Sequence, residues 1–282
     1  MLPRKALASL LVLLVVSGCA HHRGTNPPNP VGDSEPSWTA RREVELGRQI
    51  HQAILASSRV YTEPRLVGYI TRIGKSLARH ADRHNLIYQF TILYDDRIYA
   101  TSAPGGYVYI TTGFLNFLEN ETELAAVLGH EVALLQFPDP RLSTSRKALN
   151  VVAQTGVVAA PFLGPIGSLA AGGLVLMNAL LESRAATPEV RIEKTDRKAL
   201  RYMAAGGQDP QGYLDLLGRL LHPHPESLPY LYDYSMSHPV TMERFQKVLD
   251  EFEKLPLQGH SFDVHRARFL ELTKGVREIY HR

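Results

Sequence analysis

The sequence predicts an α+β fold in which helices dominate. Three observations predict it. Apolar residues recur at helical spacing along most of the chain, as at Leu66, Tyr69, Ile70, Ile73 and Leu77. Two short runs, Ile87 to Leu93 and Tyr107 to Thr111, have the β-branched and aromatic composition of strands, and Pro104, Gly105 and Gly106 force a turn just before the second. Glu119 to Phe137 reads as a central apolar helix with His130 and Glu131 set into its apolar stripe. The 282 residues, 44% hydrophobic and 21% charged, are enough for one sizeable core. A balance of 31 Lys and Arg against 28 Asp and Glu leaves +3 with the charges scattered, so nothing here supports nucleic-acid binding.

Residues 1–19 have the pattern of a secretory signal. Arg4 and Lys5 precede an apolar run from Ala6 to Val16, too short to span a membrane, and small residues follow. Val16-Ser17-Gly18-Cys19 resembles the bacterial lipobox, whose cysteine becomes the lipidated first residue after cleavage, so Cys19 is the expected lipidation site. It is also the only cysteine, which leaves no disulfide within the chain. Residues 20–36, rich in Pro, Gly, Asn and Ser, are expected to be a flexible tether, and 37–282 a single domain. The expected location is the periplasmic face of a bacterial cell envelope, with the membrane reached through lipidated Cys19. Ala20 in place of an aspartate after that cysteine favours the outer membrane.

Helices are expected over about Trp38 to Ser57 and Glu63 to Arg83. The two strands, with Arg97 to Ser102 as a weaker third, suggest a small antiparallel sheet. Asn120 supplies an N-cap for the central helix, and Glu123 stands where it can reach back to the cap's own amide. Residues 150–181 are almost wholly apolar but broken by Pro161, Gly164 and Pro165. They read as two core helices covering a cleft, or as a hairpin dipping into a membrane. The helix carrying Asp196 follows Pro188 and ends at Gly206-Gly207. Another runs from Asp209-Pro210 to about Leu221, and Val240 to Leu255 and Phe262 to Tyr280 are further amphipathic helices.

The chemistry sits on the central helix. Leu124, Val127, Leu128 and Leu135 form its stripe, and a carboxylate among them must find a partner, because an unpaired buried charge is very costly. One arrangement that places a histidine and a glutamate there is the zinc motif H-E-x-x-H, in which two histidines one turn apart bind the metal and the glutamate takes a proton from water. This chain reads His130-Glu131-Val132-Ala133-Leu134. The second ligand position is a hydrocarbon, and a catalytic zinc needs three protein ligands plus an open position.

Six blocks extend the pattern: Glu45 to Ile50, Tyr69 to Ala78, Ala103 to Leu115, Glu123 to Ala133, Thr195 to Tyr213, and Ser237 to Arg244. In this order they resemble the HtpX-like and BepA-like gluzincin metallopeptidases, the group that also contains the CAAX prenyl endopeptidases. The resemblance implies a zincin-like metallopeptidase fold with a small antiparallel sheet packed on the active-site helix, and zinc as the family cofactor. It implies roles for His130 as a metal ligand, Glu131 as general base and Asp196 as the carboxylate behind the ligands. The family's third ligand, a glutamate four residues before that aspartate, falls on Ile192. Glu193 lies one position off, and His238 matches a histidine close to the metal, so His130, His238 and Glu193 are candidates for an irregular site. The strand before the turn is, in the family, an open edge on which a peptide lies as an added strand, which assigns Tyr99, Ala100, Thr101 and Ser102 to binding unfolded or extended polypeptide. The expected function is that of a pseudo-protease in peptide binding or envelope protein quality control. The alternative is an active zinc endopeptidase with an irregular metal site.

Overall fold

The computed structural model describes residues 38–137, 189–227, 230–231 and 238–280. The expected signal, Cys19, the tether and the apolar segment 150–181 lie outside these residues.

Helix α1 (Trp38–Ser57) buries Leu46, Ile50 and Ile54, one residue per turn. Helix α2 (Pro64–Ala78) begins where its sequence requires: Glu63 is the N-cap, its carboxylate accepts from the amides of Arg65 at 2.9 Å and Leu66 at 2.7 Å, and Pro64 follows in the first turn. Its predicted stripe is the buried face. The helix stops at Ala78, five residues short of the expected end, because the chain there tightens into turns in which His80 and Ala81 donate to Leu77 and Ala78.

Strands β1 (Gln89–Leu93), β2 (Ala100–Ala103) and β3 (Tyr107–Thr111) form a sheet of order β1-β3-β2. It is mixed, which corrects the antiparallel expectation. The hairpin through Pro104, Gly105 and Gly106 makes β2 and β3 antiparallel, with both glycines at positive φ. Two reversals then return β3 to the direction of β1, and because β3 is the middle strand, the β1–β3 pairing is parallel. On the far side of β1, residues 59–61 bond to its end: Tyr61 donates to Ile92 and Tyr94 to Arg59. Strand β2 has β3 as its one strand neighbour among the described residues.

A short helix α3 (Thr112–Phe117) leads to α4 (Glu121–Leu134), which is buried at every residue. The single stripe read from the sequence is therefore a cylinder without a solvent face. It is enclosed by α2, the sheet, α5 (Glu189–Ala205) and α6 (Gln211–Leu221), with α8 (Arg266–Tyr280) near its start. Helix α7 (Met242–Glu253) packs on α5 and α6. Gly212 permits the approach of α6 to α4, since a methyl group there would collide with Thr122 in the first turn of α4. That contact fixes where the next residue, Tyr213, projects.

Candidate functional site: a buried histidine and carboxylate cluster

Helix α4 is anchored at its start so that its later residues are held in place. The side chain of Asn120 accepts from the Glu123 amide at 2.9 Å, as expected of the cap. The return bond is displaced by one residue: the Glu123 carboxylate accepts from the amide of Glu119 at 2.7 Å and from Arg219 at 2.8 Å. Burial pushes the Glu123 carboxyl up despite Arg219. The neighbouring Glu121 is also buried, and burial favours its neutral form, but Arg268, Tyr69 and Gln208 outweigh that and hold its carboxyl below the usual range.

Two turns on, four helices meet at Asp196. Its carboxylate accepts from Arg244 at 2.8 and 2.9 Å and from the Tyr213 hydroxyl at 2.7 Å. His130 Nδ1 lies 3.0 Å from the same carboxylate and 2.7 Å from the Tyr213 oxygen. Burial disfavours a charge on Asp196, yet the Arg244 guanidinium and the His130 contact overcome it and keep the carboxyl well below the usual carboxylate range. The His130 ring is thereby oriented, with Nδ1 engaged and Nε2 directed away from Asp196.

The other side of that ring faces His238, which precedes α7. The two rings stand edge to face, 5.0 Å apart at 70°. His238 Nε2 is 3.2 Å from a Glu131 carboxylate oxygen, and His130, Glu131 and His238 are each at most 3% exposed. Burial, together with His130 and Arg244, lowers the His238 pKa to about 4 against the opposing pull of Glu131, so the imidazole is neutral near pH 7. One donor atom from each of the three residues lies within 4.8 Å of the others.

The remaining predicted residues fall elsewhere. Glu193 does not join the cluster: its carboxylate turns to Arg197 at 3.5 Å and Lys247 at 3.9 Å and is 37% exposed. The reason is helix geometry, since one residue along α5 from Ile192 rotates the side chain by about 100°. Ile192 lines a cavity of about 280 Å³ between α5 and α7 with Pro239, Val248 and Lys247. Leu134 is buried at 3% exposure. Ala100, Thr101 and Ser102 form β2 with Tyr99 just before it, and all four are buried.

The profile of peptidase family M48 matches residues 64–251. The chain belongs to peptidase family M48. It is 25% identical over 223 residues to the beta-barrel assembly-enhancing protease of Yersinia pestis, covering 76% of this chain and 46% of that protein. To the protein of the same name from Escherichia coli K12 it is 24% identical over 211 residues, covering 66% of this chain and 42% of that one. The chain spans about half the length of the curated relatives it matches.

M48 peptidases depend on zinc, so the donors of this chain can be tested against that ion. Leu134 and Ile192, where the sequence resemblance leads one to expect the second and third ligands, offer no lone pair. What the fold offers instead is His130, Glu131 and His238, a set of two imidazoles and a carboxylate of the kind zinc accepts. This set meets the ligand number only by counting Glu131 as a ligand. The donors therefore fit an ion but do not fit the hydrolytic arrangement, which needs three ligands and a separate base.

Two residues of this M48 site escaped sequence reasoning. Tyr213 and Arg244 stand inside the matched blocks, but no role was assigned to either. A signal existed for Arg244: an aspartate on the inner face of α5 demands a cation, and Arg244 closes the Ser237 to Arg244 block. Nothing in the pattern around Tyr213 announces its bonds to His130 and Asp196.

Proposed function

We propose that this M48 protein binds extended polypeptide without hydrolysing it, as a pseudo-protease of envelope protein quality control held to a membrane through lipidated Cys19. The observation that carries the reading is Leu134, a buried hydrocarbon at the position of the family's second zinc ligand. With Ile192 at the third, His130 is the one family ligand left in place, and no three-ligand zinc with a separate base polarises a water for Glu131 to deprotonate. Among its own residues, Asp196, Tyr213 and Arg244 orient His130, while Glu131 meets a neutral imidazole in a water-poor interior.

Polypeptide binding rests on the register of β2. Thr111 donates to the carbonyl of Tyr99, so Tyr99, Thr101 and Ala103 turn their backbone groups to β3, while Ala100 and Ser102 turn theirs to the edge. Ile98, next in that alternation, directs its amide the same way and donates to Tyr230 at 2.7 Å. A strand added at this edge pairs with Ala100. Ala100→Pro therefore removes a peptide contact, whereas Thr101→Pro breaks the β2–β3 ladder itself.

An active endopeptidase is the second reading, favoured by the convergence of His130, Glu131 and His238. One experiment separates the two. The purified chain, loaded with zinc, is incubated with casein and titrated with an extended fluorescent peptide. The expected outcome is no cleavage and peptide binding that Ala100→Pro weakens at least ten-fold. Cleavage that disappears in His238→Ala sinks the pseudo-protease.

A further inference from the structure

We propose that His130, Glu131 and His238 form a three-ligand zinc site in which Glu131 holds the ion through its carboxylate and is no longer a base. The assignment deepens the non-hydrolytic reading above and rests on it.

The three residues come from two places in the chain, His130 and Glu131 from α4 and His238 from the segment before α7. Adjacent residues on a helix diverge by about 100° around its axis, so His130 and Glu131 share a ligand only when that ligand sits between them. His238 borders that position: its ring lies 5.0 Å from the His130 ring, and its Nε2 lies 3.2 Å from the Glu131 carboxylate. Donors on a tetrahedral zinc lie roughly 3.4 Å apart, so the observed spread of up to 4.8 Å closes with modest side-chain rotation. The outer contacts suit this ion as well. Asp196 and Tyr213 hold His130 Nδ1, which leaves Nε2 as the donor and fixes the ring's aim. Position 134 contributes only hydrocarbon, so it offers no donor to compete with Glu131 for the third place. Such a site cross-links α4 to the segment that leads into α7 and supplies no separate base.

The test turns on one substitution. In a hydrolytic H-E-x-x-H site the change of Glu to Gln removes turnover and leaves the zinc bound, because the glutamate is not a ligand. Here Glu131→Gln should lower zinc occupancy at least ten-fold, and His238→Ala likewise, while Glu193→Ala leaves it unchanged. Occupancy is read by elemental mass spectrometry on the full chain after dialysis against zinc and then buffer, with one ion per chain expected in the unaltered protein. Full occupancy in Glu131→Gln, or an unaltered chain without zinc, overturns the assignment. Should the variants fail to fold, X-ray absorption at the zinc edge of the unaltered protein decides: two imidazoles and a carboxylate oxygen support the site, and a shell lacking the carboxylate overturns it. Casein cleavage by the zinc-loaded unaltered chain overturns the non-hydrolytic reading, whereas Glu131→Gln with its zinc intact overturns the ligand assignment alone.

Discussion

The two ends of α4 both bury carboxylates, and they hold them by different means. In the first turn Glu121 and Glu123 meet Arg268 and Arg219, cations that stay charged at any physiological pH, and they sit where the helix N-terminus carries partial positive charge. Near the last turn Glu131 meets the imidazole of His238 and stands against the helix polarity. In the first, the cations and the helix polarity both favour the charged carboxylate, although burial opposes it and at Glu123 prevails. The second opposes the helix polarity, and the use proposed above for that carboxylate is to hold a metal ion.

The largest effect expected from breaking this picture is at Asp196. Arg244→Met removes its guanidinium partner and leaves a buried carboxylate without that cation, which costs about 3–5 kcal/mol. Urea denaturation of the metal-free chain measures it, and a loss under 1 kcal/mol would show that Asp196 does not depend on Arg244. A middle-sized contrast compares the two ends directly. Glu121→Gln should lose about 1–3 kcal/mol by weakening its charged bonds to Arg268 and Tyr69. Glu131→Gln in the metal-free chain should lose less than Glu121→Gln. Equal losses would erase the distinction.

The gentlest probe is pH on the metal-free protein. The His238 pKa falls from 6.5 to about 4 on folding, so between those values the unfolded chain binds the extra proton, and stability declines as pH drops through that window. One proton contributes at most about 1.4 kcal/mol per pH unit. Glu121, also lowered, keeps its contribution above the unfolded carboxyl value near 4.3 and loses it only as pH falls below that. The site end should therefore loosen first on acidification, and His238→Gln should flatten the stability curve between pH 6.5 and 4. An unchanged slope in that variant would assign the titration to another group.

Periodicity and turn chemistry made the helices and the hairpin legible, since Glu63, Pro64, Asn120 and the Gly105-Gly106 pair act on their own neighbours. Strand order was not, because which strand lies in the middle depends on packing between segments distant in the chain. The full burial of α4 was hidden for the same reason. Its start carries Glu121 and Glu123, which read as polar until Arg268 and Arg219 are seen to arrive from α8 and α6. At the site, His130, Glu131, Asp196 and His238 were legible from their order in the chain. Glu193 depends on helix register, and in α5 its carboxylate turns to Arg197 and Lys247. Tyr213 and Arg244 act only across the junction of helices, 17 and 48 residues from Asp196.

That junction bears on how such a protein could arise. In many small metal sites the ion is the rivet that keeps the ligand-bearing segments together, and losing a ligand loosens the fold. Here one carboxylate, Asp196, grips α4 through His130, α6 through Tyr213 and α7 through Arg244. The architecture carries its own keystone, independent of any ion. On the non-hydrolytic reading proposed above, a fold built this way tolerates leucine or isoleucine at a ligand position, because its helices stay joined whether or not an ion is bound.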